Sequence, residues 1–203
     1  MSQICENMTL PEVTFKTRVR VENNDENPFE WKDMTTADYF AGKKCVLFSL
    51  PGAFTPVCSA SHLPRYEELY DEFKKLGVDE VYCLSVNDAF VMRKWGLDQG
   101  LEEDMTPGSL GFTKVKLIPD GACHFTRGVG MSCTWESERG FGERSWRYSA
   151  FVSDGVVKKA FVEQPFVQNS GPDPLEVSDA DTMLNYIKEQ IMVEKMKEAS
   201  VSA

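Results

Sequence analysis

Cys58 combines a nucleophilic side chain with a position that favours its reactive form. It follows a short apolar run, KCVLFSL at 44–50, and a turn, and it precedes a segment with helical apolar spacing, 59–76. A free thiol, whose pKa is about 8.5, is mostly protonated at neutral pH, and only the thiolate is a strong nucleophile. The unpaired N–H groups and the positive dipole at a helix start stabilise an anion. The sequence therefore predicts a reactive thiolate at Cys58.

The residues around Cys58 form a specific pattern. They read PGAFTPVCS at 51–59, and the spacing P-x-x-x-T-x-x-C resembles the signature of the peroxiredoxin superfamily. A cysteine at a helix start is by itself more often structural than catalytic, but the complete pattern after a buried strand and a turn favours catalysis. The resemblance implies a thiol peroxidase, in which the cysteine thiolate attacks a hydroperoxide and becomes a sulfenic acid.

The resemblance assigns roles to four residues, and each role has a physical reason. Thr55 would offer its hydroxyl to the sulfur and to the peroxide oxygen, while the backbone N–H groups of Val57 and Cys58 would face the same point and bind the substrate. Pro51 would shield the thiolate from bulk water. Such fixed donors stabilise the transition state, in which charge moves from sulfur to the leaving oxygen, more than they stabilise the bound peroxide.

A cation would complete the site. Peroxiredoxins place an arginine at the start of a later strand, facing the cysteine, and Arg147 in GERSWRYS at 142–149 matches that position. Its guanidinium stays charged and offers several donors in one plane, which suits a thiolate and a peroxide. Without the resemblance, a surface arginine in a salt bridge would be the simpler interpretation. We expect the nearby Arg144 to add only local positive potential.

Three neighbouring side chains are open to a structural interpretation. His62 falls four residues after Cys58, on the same helix face, where a base or a metal ligand could stand. Because the motif already supplies activating groups, we expect His62 to be a hydrogen-bonded structural residue. Phe54 and Phe125 could line the peroxide site, or they could be ordinary core residues.

An alternation of strands and helices must position these residues. The periodicity predicts a strand over 13–21, a turn at 22–27, a buried strand at 44–50, a helix over 59–76 with a kink at Pro64, and a buried strand over 81–86. The strand-helix-strand unit over 44–86 needs a crossover connection, which implies parallel pairing. The predicted fold class is therefore α/β.

The rest of the chain adds an antiparallel hairpin and a final helix. The patterns predict a helix over 88–99, a strand over 115–118, paired strands at 147–152 and 156–162, and a helix that starts near Ser178. We expect one domain, 1–203, with a C-terminal tail at about 192–203. Together with the resemblance, this implies a thioredoxin-like fold, a central mixed β-sheet flanked by helices.

The composition excludes several classes of function. The chain has 203 residues, of which 32 are acidic and 22 basic, and at a formal charge of -10 it would repel nucleic acid and anionic membranes. No apolar run is long enough to cross a bilayer and the start lacks a signal-peptide pattern, so we expect a cytoplasmic protein. Only His62 and His124 are available, without zinc-ligand spacing, so we expect no metal.

The subfamily is indicated by three stretches. FSLPGAFTP at 48–56, LSVND at 84–88 and VSDADTML at 177–184 resemble type II, or peroxiredoxin-five-like, sequences. Residues 140–149 and 177–184 are especially similar to the peroxiredoxin half of bacterial peroxiredoxin-glutaredoxin fusions. The resemblance implies hydrogen peroxide and alkyl hydroperoxides as substrates, and a homodimer.

The regeneration of Cys58 needs a second thiol, because its sulfenic acid must condense with one before the cycle can repeat. Some type II relatives carry a resolving cysteine before the final helix, but residues 163–182 contain none. We therefore expect a one-cysteine cycle without a bound cofactor. External glutathione with glutaredoxin is the expected reductant, and thioredoxin is the other possibility.

The other five cysteines fall into two groups. Cys45 and Cys83 lie in apolar strands, where we expect inert, buried thiols. Cys5 lies near the terminus, and Cys123 and Cys133 fall in predicted connecting regions. These last three are the weaker alternative, resolving cysteines that act after local unfolding.

Two other functions share parts of this pattern. A peroxide sensor or redox relay, which passes oxidation to a protein partner, would use the same residues. A thioredoxin-like disulfide reductase would need a C-x-x-C pair, and the sequence has none. Multiple turnovers with glutathione or glutaredoxin would separate the enzyme from the relay.

Overall fold

The structure is a computed structural model that describes residues 2–21, 28–169 and 171–201, so the turn expected at 22–27 lies outside it. The strands are β1 (Thr14–Arg20), β2 (Phe29–Thr35), β3 (Lys44–Leu50), β4 (Glu80–Ser85), β5 (Lys116–Pro119), β6 (Ser132–Trp135), β7 (Phe141–Ser145), β8 (Tyr148–Ser153) and β9 (Val156–Val162). The helices are α1 (Thr36–Phe40), α2 (Leu63–Glu68), α3 (Tyr70–Lys75), α4 (Ala89–Asp98), α5 (His124–Gly128), α6 (Glu136–Arg139) and α7 (Ala180–Val201).

Five strands form the central sheet, in the order β5-β4-β3-β8-β9. β3 pairs in parallel with β4, and β4 with β5, whereas β8 runs antiparallel to both β3 and β9. The predicted strand-helix-strand unit and the predicted hairpin are therefore both present. The expectation of an α/β fold with a central mixed sheet flanked by helices is confirmed.

β3 lies at the centre of the molecule, because every residue after Lys44 is buried. Successive side chains of a strand point to opposite faces. Phe48 and Leu50 therefore join a core cluster with α2, α3, α4 and α7, while Cys45 and Leu47 join a second cluster with β1, α1 and α5. The loop after Leu50 thus leaves the sheet from a fully buried strand.

The helix predicted over 59–76 is divided into three pieces. A π-helical turn, Cys58–His62, comes first, with the Leu63 N–H donating to the Cys58 carbonyl, and α2 and α3 follow, separated at Leu69. Pro64 has no N–H to donate to the residue four positions earlier, so the wider turn lies where the proline interrupts the α-helical ladder. The irregularity expected at Pro64 takes the form of this π turn, whereas the break at Leu69 was not predicted.

Three strands were not predicted. β2 pairs with β1 in one two-stranded sheet, and β6 pairs with β7 in another. Only Phe29 of β2 is buried, and β6 has four residues, so neither strand gives a strong alternating pattern in the sequence. β1 and β2 precede the central sheet along the chain, whereas β6 and β7 lie in the connection between its strands β5 and β8.

The final helix, α7, extends beyond its expected end. Its first turns are buried against the sheet through Met183, Leu184 and Ile187, and it continues without a break as far as Val201. The tail expected at about 192–203 is therefore helical over most of its length. In the three described ranges, every helix is too short or too polar to cross a bilayer.

Candidate active site

Cys58 lies where the loop after β3 enters helical structure. The loop begins at the buried residues Pro51 and Gly52, and Val57 is the N-cap of the π-helical turn that starts at Cys58. The Cys58 side chain is fully buried and belongs to the core cluster on the α2 face of the sheet. The sulfur therefore stands at the entrance of a helical segment, without exposed surface in this structure.

Arg147 reaches Cys58 from the strand beside β3. It directly precedes β8, whose pairing with β3 sets Tyr148 opposite Ser49. Its Nη2 donates to the Cys58 sulfur at 3.4 Å, across a separation of 89 residues. Burial alone would lower the pKa of Arg147, but Cys58 and Asp173 beside it raise that pKa above its usual value. The guanidinium next to the sulfur is therefore charged.

His62 contacts the other side of the same guanidinium. Its Nδ1 lies 3.0 Å from Arg147 Nη1, and its Nε2 lies 3.1 Å from the carbonyl oxygen of Ser178. Burial, and then the charge of Arg147, hold the pKa of His62 well below its usual value. His62 is hydrogen-bonded, as the sequence analysis expected, but one of its partners is the arginine that faces Cys58.

Asp173 is a carboxylate that the sequence analysis did not consider. Its Oδ1 lies 2.5 Å from Arg147 Nη2, the nitrogen that also donates to Cys58, and the two side chains are 9% and 1% exposed. The other oxygen, Oδ2, lies 3.9 Å from Nη1 of Arg139 in α6. One nitrogen of Arg147 therefore faces both a sulfur and a carboxylate.

Thr55 lies in a tight turn that leads to Cys58. Its hydroxyl and its N–H both donate to the Gly52 carbonyl, at 2.7 and 3.3 Å, and its own carbonyl accepts from the Ser59 N–H at 3.0 Å. Phe54 adopts a left-handed φ of 65° in this turn, and its ring is 50% exposed. Because the proton of the Thr55 hydroxyl is bound to Gly52, the hydroxyl oxygen remains as an acceptor.

Asn87, just after β4, ties this loop to the sheet. Its Oδ1 accepts from the Ala53 N–H at 3.0 Å and from the Ser85 hydroxyl at 2.7 Å. Arg144 is also close to this point, since its Nη1 donates to the Val86 carbonyl at 3.5 Å. Arg144 therefore contacts the backbone beside the loop rather than the sulfur.

Glu163 organises the segment that lies over His62. Its buried Oε1 accepts from three successive N–H groups, those of 176–178, and from the Ser178 hydroxyl, at 2.7–2.9 Å. The Ser178 carbonyl lies within hydrogen-bonding distance of His62, and it accepts from the Tyr66 hydroxyl at 2.9 Å. A continuous chain of contacts thus runs from Glu163 through Ser178 and His62 to the guanidinium.

Known proteins are similar to this chain along most of its length. Residues 6–184 match the family described as Redoxin. The peroxiredoxin sll1621 of Synechocystis is 56% identical over 180 residues, which cover 88% of this chain and 89% of that protein. The chain belongs to the peroxiredoxin family.

Two further relatives of this peroxiredoxin refine the assignment. The hybrid peroxiredoxin hyPrx5 of Haemophilus influenzae is 46% identical over 190 residues, or 94% of this chain and 69% of that protein. A solved structure, the antioxidant protein (1-Cys peroxiredoxin) of Plasmodium falciparum, has a TM-score of 0.79 and 32% identity, and covers 91% of this chain and 99% of its own. The expected type II, peroxiredoxin-five-like subfamily and the thioredoxin-like fold are confirmed.

The remaining thiols of this peroxiredoxin are buried, with one exception. Cys5 is exposed, whereas Cys45, Cys83, Cys123 and Cys133 are buried, and none of them is in a disulfide. Burial raises the pKa of Cys45 and of Cys123 to about 12, and it raises the pKa of Cys133 as well. Cys133 lies within β6, so the prediction that it occupies a connecting region was wrong.

Cys83 is the buried thiol that shares the surroundings of Cys58. It lies in β4, opposite Phe48 of β3, and belongs to the same core cluster as Cys58. Burial raises the pKa of Cys83 well above its usual value, and the charges of Cys58 and Arg147 also act on it. A protonated thiol is a weak nucleophile. The expectation that Cys83 is inert stays a prediction.

Sequence reasoning left out the residues that hold the arginine. It gave no role to Asp173 or Glu163, and it did not connect His62 with Arg147. Ser178 lies in the stretch 177–184 that resembles type II sequences. This resemblance was the one signal in the sequence that could have placed Ser178 near the site. The suggestion that Phe125 lines the peroxide site is wrong, because its ring packs in the core cluster on the opposite face of the sheet.

Proposed function

We propose that this peroxiredoxin reduces hydrogen peroxide and alkyl hydroperoxides with Cys58 as the attacking thiolate. The sulfur bonds to the terminal peroxide oxygen and the O–O bond breaks. The leaving hydroxide or alkoxide takes a proton, which leaves a sulfenic acid and water or an alcohol. The observation that carries the proposal is the 3.4 Å contact between Arg147 Nη2 and the Cys58 sulfur. A charged guanidinium there favours the thiolate and meets the charge that develops on the leaving oxygen.

The loop before Cys58 supplies the other groups. The Thr55 oxygen, whose proton is donated to Gly52, can accept a hydrogen bond from the peroxide hydroxyl. The N–H groups of Val57 and Cys58 are donors for the peroxide oxygens, and the buried Pro51 limits the entry of water. Because Cys58 is fully buried, substrate reaches the sulfur after a local opening of this loop.

The cycle is completed by an external thiol. Glutathione condenses with the sulfenic acid, which gives a mixed disulfide and water. The thiolate of glutaredoxin then attacks the glutathione sulfur of this disulfide and releases the Cys58 thiolate. The buried, high-pKa thiols of Cys45, Cys123 and Cys133 support a one-cysteine cycle, as does the likeness to a protein named a 1-Cys peroxiredoxin. The resemblance to peroxiredoxin-glutaredoxin fusions favours glutathione over thioredoxin. Since the reductant arrives from solution, no bound cofactor is required.

A homodimer in the cytoplasm is the proposed setting. The large side chains of Trp31, Phe54 and Phe90 are at least half exposed, and such apolar surface favours a protein contact. The six cysteines, all within the described residues, are free, which suits a reducing compartment.

The test is peroxide consumption with thioredoxin, glutathione alone, or glutathione with glutaredoxin, each supplied separately. Cys58→Ser is expected to abolish consumption with every reductant, and retained activity would overturn the proposed function. Cys5→Ser, Cys123→Ser, Cys133→Ser and Cys83→Ser are expected to leave glutathione-driven turnover largely unchanged. Loss of turnover in one of these four would identify a resolving cysteine and end the one-cysteine proposal.

A sensor or redox relay is the alternative function, and the same assay separates it from the enzyme. It would oxidise Cys58 at a similar rate but turn over slowly with all three reductants. A mixed disulfide between Cys58 and one protein partner would then accumulate. Repeated fast turnover with a small thiol would exclude the relay.

A further inference from the structure

The protonation of His62 is fixed by its two partners. Arginine has only donors, so His62 Nδ1, 3.0 Å from Arg147 Nη1, must be an acceptor. A carbonyl oxygen only accepts, so Nε2, 3.1 Å from the Ser178 oxygen, must carry the proton. His62 is therefore a neutral imidazole with its lone pair aimed at the guanidinium that faces Cys58.

We propose that His62 is a positioning residue for peroxide reduction: its Nδ1 lone pair holds the Arg147 guanidinium in the orientation that directs Nη2 at the Cys58 sulfur. This inference rests on the proposed function, and it assigns a part of the reaction to a residue that does not touch the sulfur.

The planar guanidinium explains why one contact orients the other. Nη1 and Nη2 lie in one rigid plane, so a bond that fixes Nη1 also fixes the direction of Nη2. Nη2 is drawn toward Asp173 at 2.5 Å as well as toward the sulfur at 3.4 Å. Nε of Arg147 is buried without a hydrogen-bond partner in the described part of the chain. The His62 contact is thus the one that opposes rotation of the guanidinium toward Asp173.

His62 is itself held firmly enough to act as a support. It is 1% exposed and packs against the stacked rings of Phe48 and Tyr66, with centroid distances of 4.9 and 5.5 Å. Its other nitrogen contacts the Ser178 carbonyl, whose segment is held by the buried Glu163 carboxylate. The ionisable groups that face or anchor the imidazole are therefore Arg147, Tyr66 and, through Ser178, Glu163.

Two amide substitutions separate the two hydrogen bonds of His62. His62→Asn sets an amide oxygen near the place of Nδ1, and keeps an acceptor for Arg147 while it loses the donor to Ser178. His62→Gln reaches the place of Nε2, and keeps a donor for Ser178 while it loses the acceptor for Arg147. Tyr66→Phe is the matched control, because it removes the other donor to the Ser178 carbonyl and leaves Arg147 untouched.

The readouts are the second-order rate constant with hydrogen peroxide as a function of pH and the free energy of unfolding in urea. We expect His62→Gln to slow peroxide reduction by about tenfold to a hundredfold, because the guanidinium is misplaced. Its rate-pH profile should move to higher pH, since the thiolate loses its oriented cation. His62→Asn should recover most of the rate, and Tyr66→Phe should change stability without moving the profile.

A purely structural His62 gives the opposite ranking. His62→Gln would then retain the rate at least as well as His62→Asn, and the rates of all three variants would follow their free energies of unfolding; either result overturns the proposal. Failure of the proposed function itself is recognised separately, because Cys58→Ser would then still consume peroxide.

Discussion

Asp173 Oδ1 lies 2.5 Å from Arg147 Nη2, closer than the sulfur to which the same nitrogen donates. The arginine is thus partly neutralised by a carboxylate at the point where it faces Cys58. A nearby negative charge disfavours a thiolate, whereas a nearby positive charge favours it. Asp173 and Arg147 therefore act on the sulfur in opposite directions.

Asp173→Asn should make Cys58 more reactive at acidic pH. The amide keeps an acceptor for Nη2 and removes the negative charge that opposes the thiolate. We expect the rate constant with hydrogen peroxide below neutral pH to rise by about fivefold, or on the order of 1 kcal/mol. Stopped-flow kinetics across pH measure it. Asp181→Asn, at a carboxylate paired with the exposed Arg65, is the control and should change nothing. A slower Asp173→Asn protein would show that Asp173 instead holds the arginine in place.

Arg147→Lys should impair chemistry much more than folding. An ammonium keeps the charge but has no planar fork, so it cannot serve His62, Asp173 and the sulfur together. We expect the rate constant with hydrogen peroxide to fall by about a hundredfold. Arg144→Lys, at an arginine that contacts a backbone carbonyl beside the loop, should stay near the wild-type rate. Equal rates for the two variants would remove Arg147 from the site.

Protonation of His62 should make the protein less stable in mild acid. Its folded-state pKa is held well below 6.5, the value of the exposed side chain, by burial and by Arg147. Between these two values the unfolded chain takes up a proton that the folded chain does not, so the free energy of unfolding falls as pH drops below about 6.5. The limiting slope is about 1.4 kcal/mol per pH unit. Urea unfolding at several pH values measures it, and His62→Asn should flatten the curve; an unchanged slope would contradict the assignment.

Glu163→Gln should destabilise the segment over the active site. The carboxylate oxygen accepts four hydrogen bonds from 176–178, and an amide in its place loses the charge that strengthens them. We expect a loss of about 2 kcal/mol in the free energy of unfolding, with faster amide hydrogen exchange at these residues. Glu176→Gln, at an exposed carboxylate in the same segment, serves as the control. Equal effects of the two substitutions would rule out a special role for Glu163.

The central part of the fold was predictable from the sequence because its signals are local. The strand Lys44–Leu50 is a continuous apolar run closed by Pro51, and the structure has the same bounds. β2 could not be predicted from the sequence, since its side chains are mostly exposed and give no alternating apolar pattern. It is held in place by its pairing with β1. The π turn could not be predicted either, because a proline at position 64 indicates an irregular helix but not which kind of irregularity.

The site was predictable only as far as its motif extends. Cys58 and Thr55 lie in one short pattern, and Arg147 was found through the resemblance of its surroundings to a family. The bond between His62 and Arg147 spans 85 residues, and Asp173 lies 26 residues beyond the arginine. No local spacing encodes such contacts, since they depend on how β8 pairs with β3 and on where the segment before α7 packs.

The wide turn at Cys58–His62 separates the opening of the backbone at Cys58 from the unfolding of the helices that follow. A regular helix would join these two events. Its hydrogen bond links residues five apart, and Pro64 isolates it from the α-helical ladder that follows. Breaking this one bond would free the Cys58 backbone without breaking the hydrogen bonds within α2 and α3. We therefore expect exposure of the nucleophile to require less than unfolding of the whole domain. Substitutions at Ala60 or Ser61 of this turn are therefore expected to alter which oxidants and reductants reach the sulfur.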